Sequence, residues 1–578
     1  MRRTVAVLAC LLAILGLLAP AAFAQAPAPK VTINGLFDQA TSYNYNIADG
    51  NLARKGDSEW YARTRFRPDF TFEVGRTKAV LGLEFDMQWG QSGNCGAGPT
   101  KADGSCRGER FGISSGSSLN TDVMGIVEVK WAYTQFDLTG KDSLLPFIPV
   151  QTVAMLGLQP SYAYGGLTGT YRITHFVGDF PGVSAETTWA PNLKTAIAYV
   201  QIEESLATFS RTGEVSGFPA NQKPTHGDDF AIVITPTLTP FKGLDVRPVY
   251  TYLFAQGTTS GSARRSVTNI TTPSGFLSGI AGNVANAPAY QLKVSGTPGV
   301  ASYINGDPSQ HENRHTIGLD ARWRSGPFSF DPTILYQFGK RSNVVMDLAG
   351  SPYTAHSVEA DISAWLVDLE GGFQLGPLLL ESRAIYSTGN KARDNIGRSQ
   401  RYFEPLNNDF GYYSGWSSIL SLSPADYLTG GSLGFMADKI GYDRYGRASI
   451  GFRATYSLTP TLAVYGIITP AWTAEKVDTD TTLSTPGVDG LARVRVCSRA
   501  ADIGGTCFVK GDSRYIGTDL NLGTTWRFAP NTVFDLTGGY LVAGHALDDR
   551  ECNATATACT KERAHNGYTV SARLRMAF

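Results

Sequence analysis

The chain has 578 residues, of which 42% are apolar and 17% charged, and its formal charge is zero at pH 7. Nucleic-acid binding requires a concentrated basic face, so the balanced charge and the lack of a Lys/Arg run exclude that class of partner. Beyond residue 24, no apolar run approaches the roughly 18 residues of a membrane-spanning helix, which excludes a helical membrane protein but not a membrane-spanning β-barrel.

The chain begins with the residue order of a secretory signal peptide. Two arginines precede a continuous apolar run, and Ala22-Phe23-Ala24 forms an A-x-A cleavage pattern. Cys10 lies inside the apolar run with almost no leader before it, which argues against lipidation there. We predict that residues 1–24 are a signal peptide and residues 25–578 the exported chain.

The exported chain contains six cysteines in three close pairs, each bracketing a stretch rich in small residues. The pairs are Cys95 with Cys106, Cys497 with Cys507, and Cys552 with Cys559. Zinc sites gather four ligands at tighter spacing, whereas such pairs in the loops of an exported chain are typical of local disulfides. We predict three disulfides, each of which closes one loop.

From Val31 onward, polarity alternates with a period of two, which predicts β-strands and not helices. In one example, Leu81, Leu83 and Phe85 fall on one face, and Gly82 and Glu84 on the other. Eighteen such segments occur, at 31–44, 58–74, 77–90, 123–138, 149–158, 183–190, 194–204, 228–241, 244–256, 313–325, 327–339, 360–375, 378–388, 445–458, 461–474, 513–528, 532–545 and 566–578.

Short and long connections alternate between these segments. Gly75-Arg76, Lys242-Gly243 and Gly376-Pro377 have the residues of hairpin turns. Long polar segments lie between such turns, at 91–122, 257–312, 389–444 and 475–512. This pattern predicts an all-β fold: a transmembrane antiparallel β-barrel of about eighteen strands, with sixteen as the alternative, short periplasmic turns and long extracellular loops.

Tryptophan placement favours the same fold. Trp416 is in a loop, and the other eight lie in predicted strands in phase with the apolar face: Trp60, Trp89, Trp131, Trp189, Trp323, Trp365, Trp472 and Trp526. Indole prefers the membrane–water boundary, so we predict that these eight form an interfacial girdle. A soluble β-sandwich also places Trp on one face, but long loops at one end only would be unusual for it.

The final strand, GYTVSARLRMAF, ends in Phe578 and carries Tyr568, Leu574 and Met576 on its apolar face. This ending resembles the assembly signal that the barrel-insertion machinery reads. Together with the signal peptide and the alternating strands, it makes the whole chain resemble the Gram-negative outer-membrane porins. The resemblance implies a homotrimer in contact with outer-membrane lipid and lipopolysaccharide, which passes small hydrophilic solutes and ions through a water-filled channel without a cofactor.

Three arginines, Arg63, Arg65 and Arg67, occupy consecutive positions on one face of a predicted strand. Facing lipid, each would cost about 2 to 4 kcal/mol near the middle of the bilayer, so they are predicted to face the lumen. In a closed barrel the last strand pairs with the first, which brings Arg573 and Arg575 close to them. We call these five arginines the basic wall.

Residues 159–182 lie where a porin's third loop folds into the lumen and faces such a wall, so the resemblance implies that they form the constriction. This loop contains Tyr162, Tyr164 and Asp179, and Glu186 lies on the next strand. Asp179 is the predicted opposing carboxylate, with Glu186 as a second. A basic constriction predicts a mild preference for anions or carboxylates, although any water-facing barrel wall carries some charge.

The segment His311 to His315 matches H-E-x-x-H, the zinc-protease pattern. That pattern requires a helix, whereas in the strand predicted here the two histidines lie about 13 Å apart, too far for one zinc ion. We therefore predict no catalytic residue and no metal site. Two alternatives to a general porin stay open, namely a substrate-specific channel and a surface-binding or structural barrel, such as an adhesin or a sheath, without an open pore.

Overall fold

The computed structural model describes the predicted strands and parts of the connections between them. The described residues are 28–47, 52–53, 55–89, 126–160, 175, 179–204, 228–255, 311–347, 354–391, 399–406, 416, 419, 445–477, 481–484, 494–497, 511–552 and 559–578. The predicted signal peptide lies outside them.

Eighteen strands, numbered here β1 to β18 along the chain, build the wall of one barrel. Their bounds are Lys30–Tyr45, Ser58–Val74, Thr77–Gln88, Ile126–Thr139, Gln151–Gln159, Phe180–Ala190, Leu193–Glu204, Asp228–Phe241, Leu244–Ala255, His311–Ser325, Phe328–Asp347, Thr354–Leu375, Leu378–Ser387, Arg447–Ser457, Leu462–Val477, Ser513–Ala529, Thr532–Ala543 and Gly567–Ala577. They coincide in order with the eighteen predicted segments, so the predicted fold is confirmed and the sixteen-strand alternative is wrong.

The barrel is closed. Each strand pairs antiparallel with the next along the chain, and β18 pairs antiparallel with β1, where Asp38 lies opposite Arg575 and Ala40 opposite Arg573. Within the barrel wall, closure removes the open sheet edge, and each strand finds its backbone hydrogen-bond partners in its two neighbours; β11 and β12 extend beyond β10 and β13 as a hairpin. The predicted neighbourhood of the first and last strands is therefore confirmed.

Short turns and long connections lie at opposite ends of the barrel. The short turns share an end with Lys30 and Ala577; among them, Gly326 and Gly376 have φ of 55° and 56°, which glycine adopts without strain. The opposite end carries the connections 160–179, between β5 and β6, and 388–446, between β13 and β14. Both of these contribute to the interior of the barrel.

Large apolar side chains cover the outer face. In β7, Ile197 and Tyr199 are exposed while Ala198 and Val200 are buried on the inner face. Six of the predicted girdle tryptophans are exposed on the outer face: Trp60, Trp89, Trp189, Trp323, Trp365 and Trp526. An outer face of this kind is stable in lipid and not in water.

One hairpin is longer than predicted. The sequence predicts strands at 327–339 and 360–375, whereas β11 continues to Asp347 and β12 begins at Thr354. Here the alternation is interrupted by charged residues, and Lys340 and Glu359 form an ion pair across the two strands. Alternating polarity therefore ends before the strands do, and the prediction stopped at the end of the apolar pattern.

The remaining elements are short. Thr481–Ser484 pairs with Val494–Cys497, Asp549–Cys552 pairs with Cys559–Glu562, and His545–Leu547 is a 3-10 helix. Ser399–Gln400 pairs in parallel with β12 at Asp361 and Ile362, above the end of β13. In the described part of the chain, no helix is long and apolar enough to span a membrane.

Candidate functional site

The arginines of β2 point into the lumen. They alternate with Phe66, whose ring stacks on Phe37 and Phe85 on the outer face, at centroid distances of 4.6 and 5.7 Å. Because side chains of a strand alternate between its two faces, the arginines on either side of Phe66 lie on the inner face. The closed register of β18 with β1 places Arg573 and Arg575 on the same inner surface.

Asp38 of β1 joins the two halves of the basic wall. Its carboxylate accepts a hydrogen bond of 2.7 Å from Nε of Arg573, and its Oδ2 lies 3.8 Å from Nη2 of Arg63. Asp38 is buried between these two guanidiniums. One carboxylate thus neutralises part of the repulsion between arginines of β2 and β18.

Glu84 of β3 serves the other arginines of β2. Its carboxylate forms ion pairs with Arg65 at 3.1 Å, with Arg67, and with Lys130 of β4 at 3.7 Å. Three cations therefore share one carboxylate. Asp69, on the same face of β2, and Asp179 lie beside Arg67 and Lys130 and add negative charge nearby.

A β-bulge in β4 turns two consecutive residues into the lumen. The register with β3 shifts between Gly82 and Leu83, so Lys130 and Trp131 both face inward. Nζ of Lys130 lies 3.4 Å from Oδ2 of Asp179, and Nε1 of Trp131 donates a hydrogen bond of 2.9 Å to Oδ1 of that residue. The prediction that Trp131 belongs to the outer girdle is therefore wrong, because the bulge reverses its face.

The predicted carboxylates lie at separate places. Asp179 contacts Lys130 as described above, and its nearest wall residues are those bound by Glu84. Glu186 of β6 forms its ion pair with Lys194 of the adjacent strand, at 3.0 Å. On the far side of the wall, Asp535 of β17 binds Arg575 at 2.7 Å.

Exposure of the wall arginines increases along the barrel axis. The exposed fraction of the side chain is 7% for Arg63 and 11% for Arg573, but 32% for Arg67 and 38% for Arg575. The more exposed residues lie nearer the short-turn end. This side of the barrel therefore contains accessible charge facing the lumen.

The opposite side of the lumen is filled by protein. Residues 399–406, which we call the inner segment, run from the edge of β12 into the barrel. Phe403 and Leu406 pack in one apolar cluster with inner-face residues of β7 to β13, including Leu253, Leu335 and Leu366. Part of the inner surface of these strands is thus apolar and covered by the inner segment.

Glu404 fixes the inner segment to the wall. Its backbone N–H donates to Oε1 of Gln337 at 2.9 Å, and its carbonyl accepts from Nε2 of that side chain at 2.6 Å. Its carboxylate Oε2 lies 2.9 Å from Nη1 of Arg314 and 2.6 Å from Nη2 of Arg341. Glu312 of β10 completes this buried group of charges, at 2.8 Å from Arg341 and 3.3 Å from Arg314.

The loop between β5 and β6 reaches the same place. Of residues 161–178, the structure describes His175. This residue is buried, and its Nε2 is hydrogen-bonded to Oγ1 of Thr251 on the inner face of β9, at 3.1 Å. Its carbonyl accepts from the N–H of Leu406 at 3.0 Å. Burial, together with the positive charge of Arg314, lowers the pKa of the imidazole to about 3. Tyr162 and Tyr164 lie outside the described residues.

A later part of the β13–β14 connection also lies inside the barrel. The Trp416 ring sits 4.5 Å from the Arg453 guanidinium, and the N–H of Ile419 donates to Oδ2 of Asp519 at 2.8 Å. From the sequence, 389–444 is predicted only as a long polar loop. Its aromatic residues were the missed signal, since Tyr402, Phe403, Phe410, Tyr412, Tyr413 and Trp416 are many for a solvated loop.

The H-E-x-x-H segment forms the start of β10 and is extended, as predicted. His315 lies on the outer face, where its Nδ1 is 3.0 Å from the hydroxyl of Tyr250, while Glu312 is buried inside. Opposite faces prevent the helical arrangement that the zinc pattern requires. Among the residues that the structure describes, no group of three or more His, Cys, Asp or Glu is placed to hold a metal ion.

The chain terminus closes the seam between β1 and β18. Phe578 exchanges two backbone hydrogen bonds with Gly35, and its ring lies 6.1 Å from that of Phe66. Tyr568 stacks on Tyr45 at 5.1 Å, and Met576 is exposed on the same outer face. How the assembly machinery uses these residues stays a prediction.

The cysteine pairs are described only in part. The backbones of Cys552 and Cys559 lie directly opposite each other at the end of their short hairpin. Cys497 ends the strand Val494–Cys497, and Cys95, Cys106 and Cys507 lie outside the described residues. The three disulfides stay predictions.

No protein-family model and no curated protein matches this chain. Among solved structures it is similar to OccK8 (OprE) of Pseudomonas aeruginosa, with a TM-score of 0.43, 9% identity and coverage of 95% of this chain and 98% of that one. For a BenF-like porin from Pseudomonas fluorescens Pf-5, the TM-score is 0.43 and the identity 8%, with coverage of 95% of this chain and 98% of that one. For OccAB4 of Acinetobacter baumannii, the TM-score is 0.41 and the identity 9%, with coverage of 96% of this chain and 99% of that one. With identities below 10% and TM-scores below 0.5, these likenesses assign neither family nor function.

Proposed function

We propose that this protein is a porin of the outer membrane of a Gram-negative bacterium and passes small hydrophilic solutes down their gradient without catalysis. The observation that carries the proposal is the closed barrel with an apolar outer face and a charged, ion-paired inner face. The outer face suits lipid, and the inner charges require water or counter-charges. Export through the predicted signal peptide belongs to the same proposal.

The solute path runs along the basic wall. On this side, Arg67 and Arg575 keep about a third of their side-chain surface accessible. On the opposite side, Phe403 and Leu406 cover the inner faces of β7 to β13. A solute that enters the barrel therefore passes the arginines and not the covered apolar part.

The wall gives the channel a mild preference for anions, including carboxylates. Asp38 and Glu84 are shared by five cations, namely Arg63, Arg573, Arg65, Arg67 and Lys130. Asp69 and Asp179, which lie beside Arg67 and Lys130, offset part of this positive charge, so the expected preference is mild. An excess of positive charge in a narrow wet channel raises the local anion concentration.

A substrate-specific channel is the second candidate, and the inner segment favours it over a wide general pore. Tyr402 to Leu406, His175 and Trp416 all occupy space inside the barrel. A narrowed lumen with fixed charges selects solutes by shape and by charge placement, not by size alone. A homotrimer in lipid and lipopolysaccharide, inserted by the barrel-assembly machinery, is the setting that we propose for either candidate.

Planar-bilayer recordings of the purified, refolded protein test the proposal. We expect steady ohmic steps, with a reversal potential in a salt gradient that indicates anion preference. Replacing Arg63, Arg65 and Arg67 together by Gln is expected to reduce that preference. A matched triple variant removes three arginines that lie off the wall and contact Asp137, Asp331 and Glu475: Arg76, Arg324 and Arg514.

The two triple variants change the net charge equally, so only the wall variant should alter selectivity strongly. Equal shifts in both would place the selectivity elsewhere than on the wall. No steps at all from verifiably folded wild-type protein would contradict the channel, and would favour the surface-binding or structural barrel.

A further inference from the structure

We propose that Arg314 and Arg341 form a carboxylate-binding site in the lumen, and that the chain's own Glu404 occupies it and so holds the inner segment against the wall. The proposal rests on the proposed channel function. It assigns to the inner segment the role of a latch, which a carboxylate solute opens by competing with Glu404 for the two guanidiniums.

The site is built from charges that are removed from bulk solvent. Glu312 and Arg314 project from β10 and Arg341 from β11, and Glu404 reaches them from the inner segment. The side chains of all four are at most 5% exposed. Among these four described side chains, two guanidiniums balance two carboxylates, and the balance is lost when Glu404 leaves.

Charge balance specifies what replaces Glu404. When the inner segment leaves, the two guanidiniums face a single carboxylate, that of Glu312. A surplus positive charge in such a place is strongly unfavourable unless an anion accompanies it. The vacated position must therefore take up a negative ion, and its shape is that of the carboxylate that left it.

Glu404 uses the site incompletely. Both guanidiniums contact the same oxygen, Oε2, at 2.9 and 2.6 Å. Its other oxygen, Oε1, and Nη2 of Arg314 have no hydrogen-bond partner within the described residues. A free carboxylate can present both oxygens to two guanidiniums, which is the stronger arrangement, so it is able to compete with the tethered one.

The other contacts of the inner segment make the latched state the resting one. Phe403 and Leu406 pack against the apolar inner wall, and Leu406 binds the carbonyl of His175. At its start, Ser399 and Gln400 are paired to the edge of β12. In the proposed latch, the segment moves about the paired residues Ser399 and Gln400 and returns to these contacts.

The first test compares Glu404→Gln with the wild type in single-channel recordings. The variant should occupy its more conductive level several times more often, and its reversal potential should move toward that of anions. The matched control is Glu381→Gln, which also removes a lumenal carboxylate paired with an arginine, Arg453 at 2.6 Å, but lies on the wall of β13. It should shift the reversal potential and leave the occupancy of the levels unchanged.

The second test titrates potassium acetate into wild-type channels at constant ionic strength, with chloride as the replaced anion. Acetate should raise the occupancy of the more conductive level in the wild type but not in Glu404→Gln, in which the latch is already released. Folding of each variant is checked by the heat-dependent gel mobility of the barrel.

Two results would overturn the latch. One is a folded Glu404→Gln channel whose records match those of the wild type, and the other is a wild type that does not respond to acetate. Either result leaves the channel function intact, whereas a wild type without any conductance contradicts the proposed function itself.

Discussion

Replacing Asp38 by Asn should lower the stability of the barrel and raise its anion preference at the same time. The carboxylate is 1% exposed and joins Arg573 to Arg63, whose side chains are 11% and 7% exposed. Asparagine keeps the shape but removes the charge, so two guanidiniums face each other across the β18–β1–β2 seam.

The expected loss follows from burial. Removing one partner of a buried ion pair costs about 3 to 5 kcal/mol when the other charge stays buried. Water in the lumen reaches part of each arginine, so we expect about 2 to 4 kcal/mol from the free energy of unfolding. Asp535 pairs with Arg575, which is far more exposed, and Asp535→Asn should cost about 0 to 1 kcal/mol.

Urea unfolding in lipid vesicles, followed by tryptophan fluorescence, measures both variants under one set of conditions. Reversal potentials of the same preparations give the selectivity. The reasoning is refuted if Asp38→Asn and Asp535→Asn lower the unfolding midpoint equally, or if Asp38→Asn destabilises the barrel without a shift toward anions. A merely misfolded variant would lose conductance and gain no selectivity.

Three further predictions concern other parts of the chain. Gly35→Val should lower the free energy of unfolding by about 1 to 3 kcal/mol in the same urea assay, since a Cβ there would meet the ring of Phe578; Gly538→Val, where a Cβ meets nothing closer than 4.0 Å, is the control. Acidification should weaken the contacts of the loop that contains His175. The pKa of its imidazole, about 3, lies below the ordinary 6.5, so these contacts are fully stable above pH 6.5 and weaken as the pH falls toward 3. Proteolysis of this loop should therefore increase at low pH in the wild type but not in His175→Gln. Thiol labelling of the denatured, unreduced protein should find no free cysteine, and a peptide linking Cys552 to Cys559 should appear on digestion; labelling of either would contradict that disulfide.

Alternating polarity predicted the barrel because each strand separates two different solvents. In β2, the arginines are stable in water and Phe66 is stable in lipid. Because side chains of a strand alternate between its faces, the face of one of these residues fixes the face of its neighbours. Closure between β18 and β1 followed from the barrel itself, and it brought Arg573 and Arg575 onto the same inner surface as the arginines of β2, as expected. The carboxylate of Asp38 between them was not predicted.

The prediction failed at a β-bulge and in a long loop, where the alternation of polarity does not determine which way a side chain points. One extra residue in β4 reversed the face of Trp131, and nothing in its neighbours' polarity marks that bulge. The position of Glu404 depends on contacts with Arg314 and Arg341, which are distant along the chain. A loop without periodicity does not reveal such contacts, and its high aromatic content was the one local sign of burial, which the prediction did not use.

The pairing of Ser399 and Gln400 with β12 also sets the effective concentration of the Glu404 carboxylate at Arg314 and Arg341. Glu404 is the fourth residue after Gln400, so its Cα stays within about 14 Å of the Cα of Gln400 even when the chain between them is extended. One carboxylate in a sphere of that radius corresponds to an effective concentration on the order of 0.1 M. A solute whose carboxylate binds the two guanidiniums no better than Glu404 does must reach that level to displace it. Under the proposed latch, solutes present at millimolar concentration therefore open the lumen only if they make further contacts with the protein. The length of the tether thus sets the lowest affinity at which a solute can displace Glu404.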